Sequence, residues 1–385
     1  MQVAINVSKE ILRWVLQQSS VQDVPAEITD SLASWLSGEK KPTYNQVEKV
    51  SKAVKIPFGY FFLKRPPEEN LSIVEYRTVD SDELINPSRN LVDTMKNMEI
   101  VQDWMHTYQI DTIDGRTYVA AMKDQEDIDV FAGYIRETLS LNGDWRKGCN
   151  SSSDLFRVLR KAISDVGTIV MLNGIVGNNT HRPLNVQEFR AFAMVDNIAP
   201  LIFINNNDSD NGKLFSLLHE FAHICMGENS LFNEPISNQK ALKKNEALCN
   251  AVAAEVLVPT KEFRNAWEKF GNIDLREKIN EISKHYCCGA LVICRKALDN
   301  RFIDKDLYYE FAKEINKAFL DKQLAKGPSG GDYYRTKASR IDHNFLKSLC
   351  GSVSSGKTSY TDAFLMTDTN RKTYEHLMKS VGGLR

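Results

Sequence analysis

His219-Glu220-Phe221-Ala222-His223 places two imidazoles one helical turn apart with a carboxylate beside the first. Residues i and i+4 share a helix face, so both rings can bind one Zn²⁺ while the adjacent Glu220 reaches a water on it. The chemistry this permits is metal-assisted hydrolysis. The ion acidifies a water and polarises a carbonyl, and Glu220 takes the proton and passes it to a leaving amine.

The pair needs a helix to carry it and a third ligand to complete it. Leu214, Phe215, Leu217, Leu218, Phe221 and Ile224 recur at helical spacing, and Gly212 and Gly227 punctuate the two ends, which predicts a half-buried helix. A catalytic zinc takes three protein ligands and keeps a fourth position open. Glu246, 23 residues beyond His223, is the choice: it opens a second apolar helix, 246–258, that Pro259 stops. Glu246, Cys249, Asn250 and Ala253 share one face of that helix, and small residues there let two backbones pack closely. Glu228, Glu234 and Glu255 also lie within reach in sequence.

HEFAHICMG followed by NEALCNAVAAEVLVP resembles the ImmA/IrrE family of zinc metallopeptidases, whose pattern is HExxH and then an E-x-x-(A)-N-x-(F)-A helix. The resemblance implies His219, His223 and Glu246 as ligands of one catalytic zinc, Glu220 as base, and a zincin-like core. Cys249 stands where the family usually has Ala, and Val252 where it usually has Phe. A thiolate at Cys249 could compete for the open position and switch the centre off. The family is associated with cutting transcriptional repressors or antitoxins, so the expected function is a zinc-dependent endopeptidase acting on such a protein. Two rivals stand beside it: a metal-binding transcription regulator without protease activity, and a protease toxin of a toxin-antitoxin pair.

Upstream of the histidines, 168–172, 191–195 and 201–204 are short apolar runs separated by turn-forming residues, and they predict a small sheet. A free sheet edge beside the metal could hold an extended protein segment as an added strand. The polar run 177–182 between the first two strands would border the cleft. His181 or Arg182 could stabilise an oxyanion there, or the run is a solvated loop.

Residues 1–66 carry helical periodicity. The segment 32–43, with Trp35, Gly38, Pro42 and Thr43, resembles the XRE-type helix-turn-helix, and 56–63 resembles the piece closing such domains in fused ImmA/IrrE proteins. Ser34, Lys40, Lys41 and Thr43 are the candidates for contact with DNA or a partner. Over 1–70 there are 9 Lys plus Arg against 8 Asp plus Glu, and 29–36 has no Arg, Lys, Asn or Gln to read base edges. Duplex DNA and a docked protein, such as a repressor of the same fold, therefore both stay open.

The chain of 385 residues has 42% hydrophobic and 26% charged residues and a formal charge of −1, an ordinary globular composition that argues against a whole-protein polyelectrolyte partner. No apolar run is long enough for a membrane span and no signal sequence opens the chain, so the expected compartment is cytoplasmic. Seven cysteines without a C-x-x-C pair read as reduced core residues.

The expected fold is α+β. It comprises an all-α helix-turn-helix domain at 1–66, a helical connector at 67–150, the metallopeptidase core with its small sheet at 151–300, and a mostly helical extension at 301–385. Residues 282–298 predict one helix, and 326–331 a flexible break. Gly351 to Thr358 satisfies the phosphate-loop pattern G-x-x-x-x-G-K-[ST], yet only 27 residues follow, too few for the required parallel sheet. A turn between two short helices is the better expectation.

Overall fold

The computed structural model describes residues 4–20, 24–67, 87–232, 244–271, 273–325 and 332–382. By contact the chain falls into two compact units, residues 1–96 apart from a three-residue exception and residues 97–385.

In the first unit, helices α1 (Lys9–Ser20), α2 (Ala26–Ser37) and α3 (Tyr44–Val54) and a 3₁₀ turn (Phe58–Phe62) enclose a core of their own. Ile11, Val15, Leu32, Val47, Val54 and Phe61 are fully buried in it. Gly38, at φ +85°, ends α2 with the left-handed turn that an L side chain resists. Thr43 opens α3, its backbone N–H donating to Gln46 Oε1 at 2.9 Å.

Helix α4 (Arg89–Gln109) runs from the first unit into the second. There follow α5 (Ile128–Thr138), capped by Asp127, and α6 (Ser152–Asp165), capped by Ser151. The strands are β1 (Ile169–Asn173), β2 (Ile175–Val176), β3 (Asn179–Pro183), β4 (Ala191–Met194), β5 (Leu201–Asn205) and β6 (Ser230–Phe232). Four form one sheet in the order β1-β5-β4-β6, with β1 and β5 parallel and the other pairs antiparallel. Strands β1, β4 and β5 are buried along their whole length because both faces are covered, which is why they read as continuous apolar runs. Val170, Leu172, Ala191, Ala193, Ile202 and Ile204 face the core shared with α7 (Asp210–Met226), and Phe192 stacks on Phe203, ring centroids 5.0 Å apart. Strand β6 was not foreseen. It is three residues long and shows no alternation to mark it.

Helix α7 starts at Asp210, before the expected boundary at Gly212. Ser209 Oγ accepts from the Gly212 N–H at 3.0 Å, which puts Gly212 inside the first turn, and a Cβ there would stand 2.3 Å from the Asp208 carboxylate, so the glycine answers to close packing and not to a helix end. Helix α8 (Lys244–Leu257) packs on both α5 and α7. After α9 (Thr260–Lys269), the single helix expected over 282–298 is two: α10 (Leu275–Tyr286) and α11 (Ala290–Asp299). Cys287 takes φ +50° and ends α10, and Gly289 caps α11, so the path turns where the apolar pattern runs on unbroken.

Helix α12 (Lys305–Ala325) precedes four short ones, α13 (Tyr333–Arg340), α14 (His343–Ser354), α15 (Tyr360–Thr367) and α16 (Arg371–Ser380). The phosphate-loop lookalike is the last turn of α14 and the bend after it; Thr358 Oγ1 accepts from Trp104 Nε1 at 3.1 Å and pairs with Ser352 Oγ at 2.7 Å. The element leading into it is a helix, where a phosphate loop needs a strand. The expected break at 326–331 lies outside the described residues. Among the described residues no helix is long and apolar enough to cross a membrane, and all seven cysteines are free.

Candidate metal centre

Helix α7 delivers His219 and His223 one turn apart, and both are buried. Their Nε2 atoms stand 3.1 Å from each other. From α8, Glu246 divides its two oxygens between them, Oε2 at 3.2 Å from His219 Nε2 and Oε1 at 3.3 Å from His223 Nε2. Lone pairs turned toward one point at this distance repel unless a proton or a metal ion lies among them. A tetrahedral ion with arms of 2.0–2.1 Å spaces its ligand atoms by about 3.3 Å. The trio matches that spacing, so the residues fit a metal ion. It is the single group of His, Cys, Asp or Glu with metal-ligand spacing among the described residues.

The other acidic candidates are occupied or distant. Glu255 accepts from Thr260 N at 2.8 Å and Thr260 Oγ1 at 2.6 Å and pairs with the buried Lys296. Glu228 accepts from Asn245 Nδ2 at 2.7 Å on the surface. Glu234 lies outside the described residues.

The face of α8 that bears Glu246 also brings Asn250 within side-chain hydrogen-bonding reach of His219, and Cys249 against His223. Such contacts orient imidazoles for a metal. Cys249 is fully buried, its thiol donates to Met226 Sδ at 3.2 Å, and burial pushes its pKa up, which disfavours the thiolate that would compete for an ion.

Burial disfavours the charged form of every group here. It lowers His219 and raises Glu220 to about 7. At His223 burial also works against the charged ring, but Cys249 and the Glu246 carboxylate outweigh it and carry the pKa up. At Glu246 burial is in turn outweighed by hydrogen bonds from the two imidazoles, which hold the carboxyl well below the usual range.

Glu220, wholly buried beside the trio, accepts from Ser230 Oγ through Oε2, while Oε1 is buried with no hydrogen-bond partner among the described residues. Ser230 comes from β6 and had no sequence signal.

The remaining candidates lie elsewhere. His181 and Arg182 are on β3, which with β2 forms a separate two-stranded hairpin, not a loop. His181 is exposed, and the hairpin joins the C-terminal helices, where Asn178 Nδ2 donates to Tyr333 Oη at 3.0 Å. Ser34, Lys40, Lys41 and Thr43 belong to the first unit. Ser34 Oγ donates to its own helix at Ser31 O, 2.9 Å, and Lys40 and Lys41 are exposed.

Residues 176–298 match the family described as the IrrE N-terminal-like domain, a peptidase family, and residues 341–380 match a domain family of unknown function. No curated protein and no solved structure matches the chain. The stretch similar to that peptidase family runs from the end of β2 through β3, three strands of the sheet, α7, α8 and α9 to α11, so the trio and Glu220 both lie within it.

Proposed function

We propose that this chain is a zinc-dependent endopeptidase with a zincin-like core, cleaving a regulatory protein such as a transcriptional repressor or an antitoxin. One observation carries the reading: two imidazoles and a carboxylate converge at 3.1–3.3 Å beside a buried carboxylate with one oxygen to spare. His219, His223 and Glu246 would hold the ion, which when bound lowers the pKa of water to about 7 and polarises the scissile carbonyl. Glu220 Oε1 takes the proton of the attacking water and returns it to the leaving amine. A carboxyl with a pKa of about 7 suits both halves of that exchange.

The substrate reading rests on the sheet. Strand β6 is one of its two edges among the described residues and reaches Glu220 through Ser230, so an extended segment added there would run beside the base. The first unit would select the substrate as an XRE-type helix-turn-helix. Lys49 pairs with Glu27 at 2.8 Å and Lys52 with Glu48 at 2.6 Å, which blunts the cationic face that DNA demands and favours docking of a repressor.

The depth of the trio favours one second reading, a regulator whose metal only stabilises the fold, because a closed site cannot activate water. Incubation of zinc-loaded protein with candidate repressors and antitoxins decides between them. Cleavage that Glu220→Gln abolishes at unchanged zinc content supports the peptidase; cleavage by Glu220→Gln removes Glu220 from the mechanism, and zinc retention without cleavage by the wild type favours the regulator.

A further inference from the structure

We propose that Ser230 is the positioning residue of the catalytic base, fixing Glu220 from the sheet edge so that one carboxylate oxygen alone receives the proton. The proposal rests on the peptidase reading above. Ser230 is 3% exposed and its hydroxyl has a single hydrogen-bond acceptor among the described residues, Glu220 Oε2. An ionised carboxylate is acceptor-only and can rotate about its last torsion, so an unheld one divides its time between orientations. With Oε2 engaged, Oε1 is the oxygen left without a donor. Nothing on α7 itself performs this task, because the neighbouring histidines are turned to Glu246.

The backbone brings Ser230 to that place by a short and constrained route. Helix α7 ends at Met226, and Gly227 reverses the chain in the left-handed region at φ +79°. Its amide donates to His223 O at 2.9 Å and Ile224 O at 3.0 Å. Asn229 Oδ1 accepts from Val195 N at 2.6 Å, which seats the turn against the end of β4, and Ser230 then pairs with Ala193 in the sheet. The hydroxyl therefore approaches from an element other than the one bearing the base, and its position is set by the sheet.

The geometry also separates this role from ligation. Among the described residues the Ser230 hydroxyl bonds to Glu220 and Ser230 is not one of the trio, so its removal should spare metal and impair turnover. A hydrogen bond to a charged acceptor that orients a reacting group changes rates by roughly 10- to 100-fold.

The test compares Ser230→Ala and Ser230→Thr with wild type in zinc-loaded full-length protein, using a fluorogenic peptide mixture randomised about the scissile bond. Ser230→Ala should lower kcat about 10- to 100-fold with KM and zinc content unchanged, and Ser230→Thr, which keeps the hydroxyl on a β-favouring residue, should restore most of it. In parallel, infrared difference spectra against Glu220→Gln isolate the carboxylate band of Glu220, and Ser230→Ala should shift it. An unchanged kcat, loss of zinc with the rate, or an unmoved carboxylate band overturns the proposal. A wild type that cleaves no peptide counts against the peptidase reading instead, and the carboxylate band still decides whether Ser230 holds Glu220.

Discussion

Glu246 and Glu255 lie nine residues apart on α8 and are committed to different partners. Glu246 offers both oxygens to the imidazoles of α7, whereas Glu255 gives both of its own to Thr260 and Lys296. One carboxylate completes a group that could hold a metal, and the other neutralises a buried ammonium.

Replacement of the two should therefore give opposite signatures. Glu246→Ala should lose stoichiometric zinc by elemental analysis. Glu255→Ala should keep the metal but lose about 3 kcal/mol of folding stability, since Lys296 would be left buried and uncompensated. Zinc retained by the first variant and lost by the second would mean that the third ligand is misassigned.

Lys337 supplies a pH dependence unrelated to the metal. It is 3% exposed on α13, and burial holds its pKa down to about 8 from 10.5, with Asp368 drawing it up and Arg340 pressing it down. Between pH 8 and 10.5 the unfolded chain binds more protons at this group than the folded one, so stability rises with pH across that window. Below it the folded protein carries the full cost of a buried charge, roughly 3 kcal/mol at most. Lys337→Met should stabilise the protein by about 1–3 kcal/mol at pH 7 in denaturant titrations, and the gain should shrink as pH climbs. A gain that is flat with pH would show that the charge is not its cause.

Gly227 tests the turn beneath Ser230. A Cβ at this position would lie 2.6 Å from Ala120 Cβ, and the backbone is in the left-handed region besides. Gly227→Ala should cost about 1–3 kcal/mol of stability. Thermal unfolding measures the loss, and a wild-type midpoint would mean that the turn has another conformation open to it.

The sequence revealed most where one local rule decided the outcome. The i, i+4 spacing of His219 and His223 brought their nitrogens together without help from the rest of the fold, and the apolar runs at 168–172, 191–195 and 201–204 are strands of one sheet. It failed where a tertiary neighbour decides. Cys287 has no local reason to adopt φ +50°, and only packing breaks 282–298 into two helices. Ser230-Leu231-Phe232 is too short for periodicity, and its pairing with β4 is the sole mark of a strand. The distribution of Glu246, Glu228 and Glu255 among their partners was open in sequence because a carboxylate's task depends on which cation or donor the fold sets beside it.

The division of the trio between α7 and α8 has a consequence for biosynthesis. The ribosome releases both imidazoles before it has made Glu246, and the carboxylate reaches them only once α8 has docked. A nascent or truncated product therefore lacks the finished trio, so on the peptidase reading proposed above the chain would be born harmless and arm itself only by completing its own tertiary structure.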